Sequence, residues 1–184
     1  MVNTIDLSSI NNAQNLRKMV FASLFAAMTA VGAYIKIPIP IGPVPITLQI
    51  LFIFLAGAML KSKWGTISMV VYLLLGIVGI PVFAGGSSGL GVLFGPTGGY
   101  LIGFVAATFI IGILADRTDT SNILLNAVFM TIGLGAIYLF GITQLVIVAN
   151  LTPMQAIGGG MLPFLIGDFL KIAAAAYIAS KFEI

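Results

Sequence analysis

Residues 164–181 read FLIGDFLKIAAAAYIASK, an apolar helical segment with an acid, Asp168, and a base, Lys171, well inside it. Its length suits one membrane crossing, which takes roughly 20 residues. The two charges are three residues apart, so they share a face of that helix. Asp168 lies about 8 residues below the outer end of the expected span, about 12 Å deep at ~1.5 Å per residue. A lone charge near the bilayer centre costs about 2.5–3.5 kcal/mol on insertion scales, so both side chains must face the bundle interior or a polar cavity. The pair is therefore a candidate ligand site, with Asp168 accepting hydrogen bonds and Lys171 pairing with an anion. The plainer reading is a structural ion pair that neutralises itself.

The rest of the chain has the same apolar character. Of 184 residues, 60% are hydrophobic and 7% are charged, and the mean hydropathy is +1.17. An ordinary soluble domain is about 45–50% apolar and about 25% charged. This composition marks an integral membrane protein. In lipid the backbone must satisfy its own hydrogen bonds, which makes helices the default, and the alternating pattern of a membrane β-barrel is absent. The polar start, residues 1–16 (MVNTIDLSSINNAQNL), reads as a short surface segment, and a cleavable signal peptide is not expected. The remainder, 17–184, reads as one six-helix membrane domain, with no linker long enough to divide it.

The six expected spans are 17–35, 46–60, 64–80, 98–115, 122–148 and 160–180. Arg17, Lys18, Lys61, Lys63, Arg117 and Lys181 then fall on one side of the membrane, and Lys36 alone on the other. The positive-inside rule makes both termini cytoplasmic. The net charge of +3 concerns this orientation rather than a nucleic-acid partner. The cytoplasmic turns are short. The outer connections, KIPIPIGPVP, PVFAGGSSGLGVLFGPT and NLTPMQAIGG, are longer, rich in glycine and proline, and still apolar. They read as lids packed over the bundle rather than as solvated loops.

Other candidates cluster near that outer side. GPVPITLQ (42–49) brings Thr47 and Gln49 to the start of the second span. A buried Gln49 needs partners for its amide, although Thr47 also reads as an ordinary helix cap. Glycine is dense in 82–103, where backbone can approach a ligand or a neighbouring helix. GLGVLFG within it is close to a dinucleotide fingerprint but lacks the βαβ context. Tyr100 offers a ring and a hydroxyl, or is an interface aromatic. Asn150 caps a turn or reaches the outer cavity. Ala22, Ala26 and Ala30 form a small-residue stripe, either for internal packing or for docking another membrane protein.

Absences narrow the function. There is no phosphate-binding GxxxxGK[ST] loop to power ATP-driven work. The chain contains no Cys and no His, and no ligand cluster for a metal. The other acids, Asp6, Asp116, Asp119 and Glu183, all fall on the expected cytoplasmic side, so no second buried carboxylate is available for acid–base work. Hydrolytic enzymes are disfavoured, and neither a cofactor nor a metal is expected.

GPVPITLQ, GIPVFAGG, GPTGGYLIG and GDFLK together resemble the BioY family, the biotin-binding S components of energy-coupling factor (ECF) vitamin transporters. The resemblance runs from the first span to the last, in order. It implies an all-α six-helix S-component fold and a high-affinity biotin site near the outer face. It also implies a partner module of a transmembrane coupling protein and two ABC-type ATPases, in a bacterial cell membrane. It favours Gln49, Tyr100, Asn150, Asp168 and Lys171 as site residues, with Thr47, Phe83 and Gly98 beside them. Docking on the coupling protein would use the stripe Ala22, Ala26 and Ala30.

On this expectation Asp168, Asn150 and Gln49 are candidates for the ureido group of biotin. Lys171 takes the carboxylate or orients Asp168, and Tyr100 and Phe83 pack on the rings or tail. The first and third outer connections would close over the ligand and exclude water, which strengthens polar contacts. The main rival is a stand-alone proton-coupled secondary transporter of a small organic acid. An intramembrane enzyme acting on lipid and a purely structural membrane subunit are the remaining classes.

Overall fold

The computed structural model describes residues 7–37, 44–118 and 121–182. The middle of the first outer connection, 38–43, lies outside them, as do residues 1–6, 119–120 and 183–184. The chain is a helical bundle with seven α-helices among the described residues. These are α1 (Leu7–Tyr34), α2 (Gln49–Ile77), α3 (Leu90–Phe94), α4 (Gly98–Asp116), α5 (Ile123–Val148), α6 (Pro153–Gly160) and α7 (Leu165–Lys181). One two-residue ladder, β1 (Lys36–Ile37) with β2 (Ile46–Thr47), pairs antiparallel in the register Lys36↔Thr47.

Helix α2 is two spans. Lys61 breaks it with φ 62° and ψ −169°, a backbone region otherwise kept for glycine. The two limbs, 49–60 and 62–77, fold back on each other. The Gln49 amide nitrogen lies 2.5 Å from the Tyr72 hydroxyl although the residues are 23 apart, which a straight helix would separate by about 34 Å. The six expected spans correspond in sequence to α1, the two limbs of α2, α4, α5 and α7, and the chain is a multi-pass membrane protein. The turn KSK supplies the reversal where short charged sequence was expected to do so.

The boundaries differ at four places, and one is the second span, whose helix begins at Gln49 rather than residue 46 because Ile46 and Thr47 form β2. Helix α1 begins at Leu7, so a helix of 28 residues, about 42 Å at ~1.5 Å per residue, carries part of the polar start as its first turns. The third span ends at Ile77, short of residue 80, because Gly79 adopts φ 104° and turns the chain. The last span begins at Leu165 rather than near residue 160. Pro163 and a 3-10 turn, Leu162–Phe164, separate it from the short α6. Helix α6 starts with a capping box, in which Thr152 accepts from the Gln155 N–H and the Gln155 side chain accepts from the Thr152 N–H.

Helix α4 packs between α2 and α5 and is buried along most of its length. Tight approach depends on glycine at Gly99, where an added Cβ would sit 2.3 Å from the Phe140 carbonyl of α5. Helices α1 and α7 lie against α2. Ser68 of the second α2 limb donates to the Ala22 carbonyl of α1, and Ala22 and Ala26 are buried. Two residues of the alanine stripe therefore serve internal packing, while Ala30 is half-buried. Beside the stripe, Ser23 and Ala27 are exposed on α1.

Candidate ligand cavity

A cavity of about 520 Å³ opens between the helix ends on the side away from the Lys61 turn. That volume is in the usual range for a small-molecule site, about 300–1,000 Å³. One wall is apolar, built from Ile50, Phe83, Val92, Leu101 and Phe104. Tyr138 of α5 and Asp168 and Lys171 of α7 line the cavity as well.

The acid and base are a pair. The Lys171 ammonium lies 2.8 Å from Asp168 Oδ1, and the Tyr138 hydroxyl donates to Oδ2 at 2.6 Å. Asp168 is fully buried, and the Lys171 side chain is 12% exposed. Asp168 also lies in the first turn of α7, where the helix dipole favours negative charge. A buried carboxylate needs such compensation, since desolvation costs several kcal/mol per ion. The two contacts leave each carboxylate oxygen with unused acceptor capacity, and Lys171 with unused donors. The pair is thus self-neutral and still able to hydrogen-bond a guest.

A second polar chain faces it from the lids. The Thr47 hydroxyl donates to Gln49 Oε1, and Gln49 Nε2 donates to the Tyr72 hydroxyl. Tyr72 in turn donates to the Val82 carbonyl. One chain of bonds therefore links the first outer connection, both limbs of α2 and the second outer connection. Phe83, next in sequence, is 1% exposed. It fits because Gly76 has no side chain: a Cβ there would lie 2.0 Å from the Phe83 ring. The ring also meets Tyr72 edge-on, with centroids 5.7 Å apart.

Of the expected ligand residues, Thr47, Gln49, Phe83, Tyr100, Asp168 and Lys171 all line this cavity. Tyr100 presents its ring, because its hydroxyl is occupied in donating to the Gly160 carbonyl at 2.7 Å. Two expected residues lie elsewhere. Gly98 packs under the loop, where an added Cβ would sit 1.7 Å from the Leu93 carbonyl. Asn150 is exposed at φ 51°, a turn position that asparagine tolerates better than most residues.

The lids also differ from expectation. The first connection contributes Lys36, Val44 and Pro45, but the other contributor is the second connection, with Phe83, Val92 and Thr97 among its residues. The third connection folds into α6 and supports Tyr100 from behind. The second connection is held down by Gln144 of α5, whose amide donates to the Leu93 and Gly95 carbonyls at 2.8 and 2.6 Å.

Sequence reasoning missed Tyr138, Tyr72, Gln144 and Lys36. A tyrosine inside an apolar span is a signal, since a buried hydroxyl needs a partner, but spacing alone does not name the partner 30 residues away. Lys36 was visible as the lone outer cation. It lines the mouth, and no described carboxylate lies within 4 Å of it.

The fold and cavity define a class: a multi-pass helical membrane protein with a small-molecule chamber roofed by its connections at one end. Its overall fold is that of an S component. A crystal structure described as the S component for biotin from an ECF-type ABC transporter superposes with a TM-score of 0.87 at 28% identity, over 92% of each chain. The sequence model of the BioY family matches residues 5–183, and the chain belongs to that family. A biotin transporter BioY of Thermotoga maritima is 41% identical over 168 residues, 91% of this chain and 96% of that protein. A probable biotin transporter BioY of Pyrococcus horikoshii is 41% identical over 167 residues, with the same coverage. The named relatives are transporters, and this chain is a transport protein rather than an enzyme.

Proposed function

We propose that the chain is the biotin-capturing S component of an ECF transporter in a bacterial plasma membrane, with both termini cytoplasmic. The observation that carries this reading is the self-neutral Asp168–Lys171–Tyr138 cluster, set in the lining of a chamber that is otherwise mostly apolar. Biotin has a matching division. Its ureido ring carries two N–H donors and one carbonyl acceptor, its thioether ring is apolar, and its tail ends in a carboxylate.

In this reading the remaining acceptor capacity of Asp168 takes the ureido N–H groups, and Lys171 orients Asp168 and donates to the ureido carbonyl. Phe83, Phe104 and the Tyr100 ring flank the thioether ring and the tail. Gln49 offers its amide from the opposite side. The tail carboxylate runs to Lys36 at the mouth, because Lys171 is already neutralised by Asp168 while Lys36 has no described acid beside it. Val44, Pro45 and the second connection exclude water above the ligand. Low local polarity then strengthens each contact.

Capture alone does not move the vitamin. The chain has no nucleotide-binding loop, so a transmembrane coupling protein and two ATPases supply the work. Docking through α1 would use its exposed face, with Ser23, Ala27 and the edge of Ala30, since Ala22 and Ala26 are buried within the chain. Reconstitution tests this. Labelled biotin should enter proteoliposomes that contain the chain, the coupling protein, both ATPases and internal ATP. It should not enter vesicles holding the chain alone under an imposed proton gradient. Uptake by the chain alone, driven by that gradient, would instead identify a secondary transporter working through Asp168.

A further inference from the structure

The end of the bundle away from the chamber carries a second hollow of about 380 Å³. Three cations line it: Lys18 from α1, and Lys61 and Lys63 from the reversal in α2. Trp64 forms a side of it, and the Lys63 ammonium stands 5.4 Å from that ring's centroid. The one acid lining the hollow, Asp116, is already engaged. Its Oδ2 accepts from the Ser62 hydroxyl and, at 3.4 Å, from the Ser62 N–H.

No described carboxylate lies within 4 Å of any of the three ammonium groups. Three cations and one acid, itself bonded to Ser62, line the same hollow, so its lining carries net positive charge and would attract an anion. Lys61 adds to this. It occupies a backbone conformation that glycine would adopt without strain, yet the position holds a cation whose side chain borders the hollow. The setting favours an anion anchored in the membrane. Met59, Leu60 and Trp64 give the hollow an apolar side. Leu16, Met19 and Val20, neighbours of Lys18 on α1, are exposed and lead from the hollow along a lipid-facing surface. Lysines with an interfacial tryptophan at the end of membrane helices are suited to acidic lipid.

We propose that this hollow binds the phosphate of an anionic membrane lipid, with Lys18, Lys61 and Lys63 around the phosphate and Trp64 beside the glycerol region. The site is independent of the ligand held in the chamber. Native mass spectrometry of the full chain in detergent, titrated with phosphatidylglycerol, phosphatidylcholine or inorganic phosphate, tests it.

The wild type should bind phosphatidylglycerol at least about tenfold more tightly than phosphatidylcholine. A Lys18→Gln, Lys61→Gly, Lys63→Gln variant should lose that preference and keep wild-type biotin binding, which reports its fold. If the triple variant does not fold, Lys61→Gly alone serves. It should raise the melting temperature by relieving the backbone and still weaken phosphatidylglycerol binding. Equal binding of the two lipids, or an undiminished preference in the variants, would overturn the proposal. Inorganic phosphate that displaces the lipid at equal concentration would reassign the hollow to a free anion and overturn the lipid assignment.

Discussion

Asp168 and Asp116 mark two ends of one bundle and are handled in opposite ways. Helix α4 spans the distance. It places Tyr100 in the chamber and ends at Asp116, about 24 Å further on at ~1.5 Å per residue. Asp168 is fully buried and shares its charge with a lysine three residues away. Asp116 is exposed, bonds to a serine, and leaves three nearby lysines without an acid. The buried Asp168–Lys171 pair is neutral overall, because an unpaired charge there would be costly. The exposed end keeps excess positive charge, because water tolerates it. On the proposed reading, one end discriminates a small solute and the other sits at an interface.

Breaking the buried pair should have the largest effect. Lys171→Met leaves a buried carboxylate with the Tyr138 hydroxyl as its remaining described side-chain partner and should cost about 3–5 kcal/mol, seen as a lower melting temperature in detergent. Adding Asp168→Asn should restore much of that stability while biotin binding stays lost. A double variant that binds normally would show that the pair is structural. Gly76→Ala comes next. Its methyl group would meet the Phe83 ring, an overpacking cost of about 1–3 kcal/mol. Thermal unfolding and biotin affinity should fall together, because Phe83 belongs to both the packing and the chamber wall.

Tyr138→Phe removes one hydrogen bond to the carboxylate. It should weaken biotin binding by about 5- to 150-fold, from roughly 1–3 kcal/mol, with the fold retained in a circular dichroism spectrum. The smallest effect belongs to the other end. Asp116→Asn should change stability by no more than about 0.5 kcal/mol, as for most surface changes, and leave biotin titrations unaltered. A loss of biotin binding there would show that the two ends are coupled, and the comparison would fail.

The fold was legible because lipid imposes a simple rule. Apolar runs of membrane length, separated by KSK, DRTDTS and glycine-rich connections, leave few alternatives to a helical bundle. The reversal at Lys61 followed from charge within an apolar stretch. The helical pieces of the connections did not. Helix α3 and the turn around Ala84–Gly86 are too short for periodicity to register, and α6 is disguised by its three consecutive glycines.

The site was partly legible for a related reason. Asp168 and Lys171 stand out because charge is rare in lipid, and Gln49 because an amide needs partners. Tyr138, Tyr72 and Gln144 act through partners 30, 10 and about 50 residues away in sequence, and a single sequence gives no distance between spans. Lys36 was assigned to orientation alone. The small alanines of α1 read equally as an inner or an outer face, and only the structure shows Ala22 and Ala26 buried, with Ser68 bonded to the Ala22 carbonyl.

The most direct test of the central claim, that the buried acid–base pair holds biotin, is calorimetric titration of the detergent-purified chain alone, beside Asp168→Asn. The wild type should bind one biotin per chain tightly. The variant, still folded, should bind at least about a hundredfold more weakly, as expected for about 3 kcal/mol. No binding by folded wild type, or undiminished binding by Asp168→Asn, would contradict the account and leave the pair a structural element of the membrane fold.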